Sequence, residues 1–427
     1  MKAKILLSSL VMCMAFISQA QLKNFVKKVQ NKVENKVEQR ADKKVEKEID
    51  KALDEIEGKG ETKSEGTAPA KTDNGGGSSV KSYAKYDFVS GEKVIYSNDF
   101  ATDNMGELPT GWNTNGNGAV VTLNSLKGNW VQFYQDAIYL TDNKDSFTQN
   151  FTVEFDLVLR RENPKANFPQ IAFGVLASGD FGTTDNDILK DYIKNFAVEL
   201  KVQPYDNNGS HMHLETYENR SRYLNTDIKK TGNLQDYFNK SVHIAMQVQK
   251  ERLRVWMNEE KLYDLPKAIA PNTILNQLYF RVKRYGGPDA EIGYAVSNIK
   301  IAKGLPDTRH KLVEEGKFST TGILFETNSS VIKPESNGVI KEVADVLKKF
   351  NDIKVTIVGH TDSDGADVAN LDLSKKRSEA VKQALITDFG IDASRISSDG
   401  KGEKEPVGDN KTREGKAQNR RVEFIKS

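Results

Sequence analysis

Short runs of alternating apolar and polar residues fill the middle of the chain, between about residues 82 and 303. The clearest run, residues 151–157, places two phenylalanines, a valine and a leucine on one face and polar residues on the other, as in a half-buried β-strand. Eight further runs have a similar pattern: residues 93–96, 120–123, 170–176, 196–202, 242–248, 253–256, 278–282 and 296–301. Many short strands separated by turns predict a β-sandwich of the jelly-roll type.

A sheet embedded in a membrane is the alternative for this middle region. Its turns are charged and uneven in length, and no recurring aromatic pair brackets each strand as a lipid-facing girdle requires. The sandwich is therefore the preferred prediction.

Strand and helix patterns alternate after Lys303. An apolar segment at 322–327 predicts a strand, and Pro334 predicts the first turn of a helix. That helix carries apolar residues at the spacing i, i+3, i+4 and i+7, namely Ile340, Val343, Ala344 and Leu347. Further segments predict strands at 353–358 and 421–425 and a helix at 373–387. Residues 315–427 are thus predicted to form a compact C-terminal α/β (α+β) domain, in a chain of several domains.

The first 20 residues have the composition of a secretory signal peptide. Two lysines precede an apolar segment at 5–17, and residues 18–20 end in the small residues that a signal peptidase requires. The apolar segment is shorter than the roughly 20 residues that span a bilayer. Lipidation of Cys13 is the alternative, but Met12 stands where a small residue is needed. We therefore expect an exported protein.

A long amphipathic segment follows the predicted signal peptide. Between residues 21 and 60 apolar residues, mostly valines, recur about every fourth position, which predicts an amphipathic, coiled-coil-like helix. Such a helix allows self-association or contact with a membrane surface, and a solvated stalk explains the pattern equally well. Residues 61–81, which include a Gly-Gly-Gly-Ser-Ser sequence, are predicted to form a flexible linker.

Charge and cysteine content exclude several classes of function. The 427 residues include 62 Lys and Arg against 60 Asp and Glu, a net charge of +2, so the chain lacks the basic excess that is typical of nucleic-acid-binding proteins. Its one cysteine, Cys13, lies in the predicted signal peptide. We therefore expect no disulfide, no Cys-ligated metal and no Cys nucleophile in the mature protein.

Two arginines of the C-terminal domain occupy positions where apolar residues are expected. Arg377 shares a helix face with Leu373 and Val381, and Arg420 shares a strand face with Val422 by alternation. A guanidinium near a hydrophobic core is costly without an anionic partner. Two explanations are open: an internal salt bridge, for example to Asp362, or a pocket that binds a ligand carboxylate.

Several ordered motifs here are similar to those of the OmpA-like peptidoglycan-binding domain. The resemblance covers about residues 318–427, roughly a quarter of the chain. Glu326 departs from the family pattern, in which Asp is common, and Ser378 replaces the more common Ala. The matching motifs are Ile323-Leu324-Phe325-Glu326-Thr327-Asn328, Gly359-His360-Thr361-Asp362, Asn370-Leu371-Asp372-Leu373-Ser374-Lys375-Lys376-Arg377-Ser378-Glu379-Ala380-Val381, Gly400-Lys401-Gly402-Glu403 and Asn419-Arg420-Arg421-Val422-Glu423.

The resemblance implies a binding function without catalysis, and a location in the periplasm in association with the outer membrane and the cell wall. Domains of this family bind the peptide stem of peptidoglycan at its diaminopimelate residue. By resemblance, Asp362 receives the ammonium group of the ligand, Arg377 its carboxylate, and Arg420 adds a second cationic contact. The neighbouring hydrogen-bonding groups implied in the same way are Asn328, Thr361 and Asn370. The resemblance implies no cofactor and no metal.

Three other patterns in the sequence resemble parts of known functional sites. The sequence Asp362-Ser363-Asp364-Gly365 resembles the start of an EF-hand loop, but the Gly and Glu required later in that loop are missing. His211 and His213 share a predicted strand face without a third metal ligand nearby in the sequence.

Glu154 and Asp156 lie on one strand face, as in jelly-roll glycoside hydrolases, but the third carboxylate of that motif is missing.

The predicted sandwich has a weaker resemblance of its own. The hairpin at 252–266 is similar to one in concanavalin-like and laminin G-type domains. That resemblance implies glycan binding on an aromatic platform, for which the candidates are Trp112, Trp130 and Trp256. The alternative function is accordingly a glycan-binding lectin or a polysaccharide-acting enzyme held by the same C-terminal domain. The expected partners are peptidoglycan, with the outer membrane or an envelope glycan as further candidates, and no nucleic acid.

Overall fold

The structure is a computed structural model that describes residues 86–427 apart from residues 144, 180, 183–184, 207–208 and 232–233. The predicted signal peptide, amphipathic helix and flexible linker lie outside the described residues. The structure therefore does not test the predictions made for these three segments.

Strands dominate residues 93–303. They are β1 (Lys93–Asn98), β2 (Asn113–Thr114), β3 (Gly118–Leu123), β4 (Leu126–Phe133), β5 (Ala137–Leu140), β6 (Asn150–Arg161), β7 (Ile171–Ala177), β8 (Phe196–Gln203), β9 (His211–Glu218), β10 (Ser221–Asn225), β11 (Lys229–Lys230), β12 (Ser241–Gln249), β13 (Arg252–Met257), β14 (Glu260–Leu265), β15 (Gln277–Val282) and β16 (Ile292–Lys303). A short helix, α1 (Asn186–Lys190), and a 3-10 turn (Leu234–Tyr237) also lie in this region. All nine predicted runs fall in these strands, and only Gln170 lies just outside.

These strands form two eight-stranded antiparallel sheets. The first sheet has the order β14-β13-β12-β6-β16-β4-β3, with β1 beside β16, and the second has the order β10-β9-β8-β7-β15-β5-β2, with β11 beside β9. Strand β16 pairs with β4 over its first half and with β1 over its second half, and its register against β6 shifts between Ser297 and Lys300. We call residues 93–303, which contain both sheets, the two-sheet region.

One hydrophobic core joins the two sheets. Phe155 of β6 meets Phe173 of β7 and Phe280 of β15 edge to face, with ring centroids 5.2 and 5.1 Å apart. Trp112 lies in the same core, stacked on Phe280. The residues that point into this core from β6 are those that the alternating pattern places on one face.

The opposite face of β6 is polar yet buried. Thr152, Glu154 and Asp156 alternate with the core residues but are only 0, 3 and 6 % exposed. In an isolated sandwich such residues face water. Here they face residues 86–91 and the C-terminal domain, so the outer face of the first sheet is also buried.

The C-terminal domain combines helices with a four-stranded sheet. Its elements are α2 (Thr308–Val313), β17 (Lys317–Thr320), α3 (Asn337–Lys349), β18 (Val355–His360), α4 (Asp367–Thr387), β19 (Ile396–Gly402), α5 (Arg413–Asn419) and β20 (Val422–Lys426), with 3-10 turns at Pro334–Ser336 and Ala393–Arg395. The sheet order is β17-β20-β18-β19, and β18 and β19 are its parallel pair. The predicted C-terminal α/β domain is confirmed. No helix within the described part of the chain is both long and apolar enough to cross a bilayer.

The strand predicted at 322–327 is wrong. Phe325 forms only an isolated bridge with Ile332, and the backbone N–H of Leu324 donates to the Ser336 side chain at 2.8 Å instead of to a strand. Strand β17 already occupies the sheet edge beside β20. The apolar residues of this segment therefore pack against the domain core without joining its sheet.

Helix α4 begins six residues before the predicted start, and it packs through small polar residues. The backbone of Ser374 lies so close to Gly359 of β18 that a Cβ there would be 2.3 Å from the Ser374 carbonyl oxygen. A Cβ at Gly400 of β19 would be 2.4 Å from the backbone nitrogen of Lys375. The buried positions of the helix are Asn370, Ser374, Ser378, Val381 and Leu385.

Leu373, which was expected on the buried face of this helix, is only half-buried. The predicted apolar stripe therefore differs from the real one over the first half of the helix.

Residues 86–91 and α5 hold the C-terminal domain against the first sheet. Phe88 packs edge to face on Trp256 of β13, with centroids 5.2 Å apart, and its carbonyl oxygen would lie 2.2 Å from a Cβ at Gly338 of α3. Gln418 of α5 accepts a hydrogen bond from the Val94 backbone N–H at 2.7 Å. These contacts fix which side of the C-terminal domain faces the first sheet.

Candidate functional site

A cavity of about 420 Å³ lies between the C-terminal domain and the outer face of the first sheet. On the domain side it is bounded by the end of β18, the first half of α4 and the junction of α5 with β20. The six residues predicted as site residues all line it: Asn328, Thr361, Asp362, Asn370, Arg377 and Arg420. The fold thus brings together side chains that are up to 92 residues apart in the sequence.

Asp362 and Arg420 form an ion pair in this cavity. Asp362 lies two residues after the end of β18 and is 7 % exposed, and its Oδ2 accepts from Arg420 Nη1 at 2.5 Å. The other oxygen, Oδ1, accepts from the Asp364 backbone N–H at 3.1 Å. Arg420 was expected to alternate with Val422 along a strand, but it is the C-cap of α5 and precedes β20. Its side chain is 41 % exposed, so the pair is open to the cavity.

Arg377 occupies the cavity without an acidic partner. Its Nε donates to the Ser329 carbonyl oxygen at 3.0 Å, and its guanidinium lies 4.9 Å from the centroid of the Phe325 ring. No carboxylate of the described residues lies within salt-bridge distance of it. The internal salt bridge of Asp362 is thus made by Arg420 and not by Arg377.

The electrostatic surroundings of Arg377 follow from this geometry. Burial of the guanidinium and the positive charge of Arg420 lower the pKa of Arg377, and the negative charge of Asp362 only partly opposes them. An arginine stays charged under all ordinary conditions. The site therefore holds a partly desolvated cation next to a second cation.

Asn370 supports the loop that carries Asp362. Its Nδ2 donates to the carbonyl oxygens of Asp362 and Asp364 at 3.3 and 3.1 Å and to Glu403 Oε2 at 2.5 Å. The amide nitrogen is therefore engaged within the protein, and it fixes the backbone of Asp362 relative to α4.

Asn328 and Thr361 present side chains with little internal engagement. Asn328 is exposed and has φ 55°, a left-handed conformation that Asn adopts more readily than most residues. Thr361 is 5 % exposed, and its Oγ1 has no hydrogen-bond partner among the described residues. A buried hydroxyl without a partner costs free energy, which a ligand oxygen or nitrogen would recover.

A buried charge cluster supports the strands beneath the cavity. Glu423 of β20 is 3 % exposed and pairs with Arg421 at 2.9 Å, Lys317 at 2.8 Å and His360 at 3.5 Å. Burial would raise the pKa of Glu423, but its side-chain contacts with His360, Lys317 and Arg421 and the charge of Arg421 bring it well below its usual range. The cluster ties β17, β18 and β20 together next to the site.

The opposite wall of the cavity contains residues that the sequence did not assign to a site. It is formed by the outer face of the first sheet, with Glu154, Asp156, His243, Asn298 and Lys300. Glu154 and Asp156 are visible in the sequence as two carboxylates on one strand face. The pattern gives no indication that this face lies against another domain.

Two further sequence signals have structural outcomes. The three tryptophans are 0–7 % exposed within hydrophobic clusters, so they form no surface platform. Among the described residues, no group of three or more His, Cys, Asp or Glu side chains is arranged to hold a metal ion.

Comparison with known proteins matches the domain that carries the site. The OmpA family profile matches residues 324–420. Outer membrane porin F of Pseudomonas aeruginosa is 42 % identical over 101 residues, 24 % of this chain and 29 % of that protein. Outer-membrane lipoprotein YfiB of the same species is 38 % identical over 137 residues, 32 % of this chain and 79 % of that protein. Peptidoglycan-binding protein ArfA of Mycobacterium bovis is 36 % identical over 103 residues, 24 % of this chain and 31 % of that protein.

These matches differ in how much of each relative they include. The chain spans less than a third of porin F and of ArfA, and more than three quarters of YfiB. The profile places the family similarity in the C-terminal domain, which lines the cavity. Through this C-terminal domain, the chain belongs to the OmpA family.

Proposed function

We propose that this protein binds the peptide stem of peptidoglycan in the cavity of its C-terminal domain, without cleaving it. The ligand end group is the zwitterionic side chain of diaminopimelate. Arg377 binds its carboxylate, Asp362 binds its ammonium group, and Arg420 contacts both Asp362 and the ligand carboxylate.

Arg377 is the observation that carries this proposal. Its guanidinium is partly buried, and no carboxylate of the described residues lies within salt-bridge distance of it. Much of the desolvation of this cation therefore takes place on folding and not on binding. A ligand carboxylate gains a charge-assisted hydrogen bond there, on the order of 1.5–3 kcal/mol.

The charges of the site match those of the proposed ligand. Asp362, Arg377 and Arg420 carry one negative and two positive charges around one cavity. An amino acid end group presents one ammonium and one carboxylate at a fixed separation. Asp362 accepts the ammonium on Oδ1, which also accepts the Asp364 backbone N–H, while Arg420 stays bonded to Oδ2. Thr361 and Asn328 supply the neutral hydrogen-bonding groups, and Asn370 holds Asp362 in position.

The relatives support a location in the cell envelope. Porin F and YfiB are named as outer-membrane proteins, and ArfA is named as a peptidoglycan-binding protein. Together with the signal peptide expected at residues 1–20, this supports an exported protein that links a β-sandwich module, proposed at residues 82–303, to the cell wall. The family domain is proposed at residues 315–427.

The glycan-directed alternative has no observation in its favour. A lectin platform needs exposed aromatic rings, and the three tryptophans are buried. The two carboxylates considered for hydrolysis, Glu154 and Asp156, are enclosed and bonded to neighbouring side chains. We therefore propose no enzymatic activity.

Co-sedimentation with purified diaminopimelate-type sacculi tests the proposal. We expect the wild-type chain to pellet with sacculi and the Arg377→Ala and Asp362→Ala variants to remain in the supernatant. Arg309→Gln is the matched control, because Arg309 is an exposed arginine of the same domain that stacks on Phe350 away from the cavity.

The far-UV circular dichroism of each variant is compared with the wild type, so that loss of binding is separated from loss of folding. Undiminished pelleting of a folded Arg377→Ala variant would refute the site assignment.

A further inference from the structure

One wall of the cavity that Arg377 lines belongs to the two-sheet region. Glu154 and Asp156 of β6, His243 of β12 and Lys300 of β16 line it. The first three of these residues are only 3–6 % exposed, although all are polar. Burying charged groups between two regions costs stability unless each is well paired. The pairing of each group therefore indicates which of them still has bonding capacity.

Glu154 and Lys300 form an ion pair with each other. Lys300 Nζ lies 3.2 Å from Glu154 Oε1 and also donates to the Thr321 carbonyl oxygen of the C-terminal domain at 3.2 Å. Ser90 donates to the same Glu154 oxygen at 2.5 Å. This pair joins the first sheet to the C-terminal domain and leaves no net charge in the wall.

His243 has one ring nitrogen with a hydrogen-bond partner and one buried ring nitrogen without a partner among the described residues. Its Nδ1 lies 2.8 Å from Asp156 Oδ1, so that the carboxylate assigns a proton to this nitrogen. Its Nε2 is buried and has no hydrogen-bond partner among the described residues, and Glu154 Oε2 at 3.8 Å is beyond hydrogen-bond distance. A ligand oxygen is the partner that would complete this nitrogen.

Lys333 lies next to the same pair from the domain side. Its Nζ is 4.0 Å from Asp156 Oδ2, whose close hydrogen bond comes from Asn298 at 2.8 Å. The Lys333 side chain is 28 % exposed and lines the cavity. Two cationic groups, Lys333 and a protonated His243, therefore surround one carboxylate on this side.

Cations lie beside a carboxylate in two parts of the cavity. Arg377 and Arg420 lie near Asp362, and Lys333 and a protonated His243 lie near Asp156. The other charged residues of the lining are Asp99, Glu154, Lys300, Asp364 and Arg421. Burial would lower the pKa of His243, but its hydrogen bond to Asp156 and nearby carboxylates raise it above its usual value. The charged groups around His243 are Glu154 and Asp156 from β6, Lys300 from β16, and Lys333 and Glu335 from the C-terminal domain.

We propose that the first sheet forms the second half of the binding site, where His243 Nε2 and Lys333 bind a second carboxylate of the stem peptide. The inference rests on the proposed function and adds a substrate class to it: an acidic peptide with a zwitterionic end group and one further carboxylate. A volume of about 420 Å³ lies within the usual range for a ligand pocket and accommodates more than the zwitterionic end alone. In the stem, the glutamate that precedes diaminopimelate carries such a carboxylate.

Calorimetric titration with two synthetic peptides tests this second half of the site. Both are L-alanyl-γ-D-glutamyl-meso-diaminopimelate, one with the glutamate α-carboxylate free and one with it amidated. The full chain is titrated at a pH of about 6, where an unperturbed imidazole is largely protonated. We expect the wild type to bind the free acid about 10-fold or more tightly than the amide.

Two variants remove the proposed contacts one at a time. His243→Asn keeps a donor near Asp156 and removes Nε2, and Lys333→Gln removes a charge from a partly exposed position. In both, the preference for the free acid is expected to fall towards one while binding of the amidated peptide is retained. Lys333→Gln keeps the test decisive if His243→Asn fails to fold. His213→Asn is the matched control, because His213 lies on the second sheet and does not line the cavity.

The outcomes separate this inference from the proposed function. Equal wild-type affinities for the two peptides, or an unchanged preference in both variants, would overturn the second half of the site. In that case a loss of binding in Arg377→Ala still supports the proposed function. If Arg377→Ala binds both peptides as tightly as the wild type, the proposed function itself fails.

Discussion

Replacing Gly359 by alanine tests how the fold positions the site. Gly359 is the residue of β18 on which α4 rests, and an added Cβ would lie 2.3 Å from the Ser374 carbonyl oxygen. Ordinary contact begins near 3.4 Å, so helix and strand must separate by roughly 1 Å. Overpacking of this kind costs typically 1–3 kcal/mol, and the upper end applies because the opposing atom belongs to the backbone. The higher strand propensity of alanine offsets only part of this cost.

The predicted result is a loss of about 2–3 kcal/mol in the free energy of unfolding. Urea denaturation is followed by far-UV circular dichroism, because α3 and α4, the longest helices among the described residues, both lie in the C-terminal domain. Tryptophan fluorescence reports on the two-sheet region, which contains all three tryptophans. We expect the helical signal to lose more stability than the fluorescence signal.

The same substitution affects binding through the position of Arg377. This residue lies one turn after Ser374 on α4, so a displacement of roughly 1 Å moves it relative to Asp362, beyond the ~0.5 Å within which a binding site tolerates error. Gly287→Ala is the matched control, since a Cβ there would meet nothing within 4 Å. Equal urea midpoints for Gly359→Ala and Gly287→Ala would refute the prediction that the close contact between β18 and α4 makes Gly359→Ala destabilising.

Three further predictions concern the supports of the site. Glu423→Gln is expected to cost about 3 kcal/mol at neutral pH, because it leaves the buried Arg421 without its carboxylate. Since the folded-state pKa of Glu423 is lowered, its contribution is complete above the unfolded pKa of about 4.3 and is lost as pH falls through the folded pKa. Denaturation of wild type and variant across pH therefore should give a difference that shrinks in acid, and a difference constant with pH contradicts the assignment. Asp362→Asn retains the shape of the side chain but loses the negative charge, so calorimetry with a diaminopimelate peptide should give about 10-fold or weaker binding; unchanged affinity excludes Asp362 as the ammonium partner. Phe88→Ala removes the ring packed on Trp256, and thermal melts by circular dichroism and fluorescence should separate into two transitions; coincident transitions would show that this contact does not hold the two regions together.

The sequence predicts elements wherever one face of the element is apolar. The alternation at 151–157 is confirmed as part of β6, and the spacing of Ile340, Val343, Ala344 and Leu347 is confirmed as the buried face of α3. In both cases a local period reports directly which side chains meet the core.

The same reasoning fails where packing uses other chemistry. The first turns of α4 bury Asn370 and Ser374 against glycines, and this leaves no apolar period to mark the start of the helix. Helix α5 is short and polar, and its buried Asn419 serves to bond the backbone of Val407 and Gly408. The sequence pattern therefore placed Arg420 on a strand, whereas in the structure it caps the C-terminal end of α5.

The two walls of the candidate site also differ in how far the sequence predicts them. Ordered motifs named the six residues on the domain side, and the structure arranges all six around one cavity. The wall that contains His243 and Asp156 depends on how two regions distant in sequence pack together. No period or motif within either region carries that information.

Recognition of the zwitterionic end group is the central claim, and one pair of ligands tests it most directly. The full chain is titrated calorimetrically with the stem tripeptide that contains meso-diaminopimelate and with the same peptide that contains lysine in its place. Lysine keeps the ammonium group and lacks the carboxylate assigned to Arg377. We predict that the wild type binds the diaminopimelate peptide about 10- to 100-fold more tightly and that Arg377→Ala shows no preference. Equal wild-type affinity for the two peptides would contradict the account.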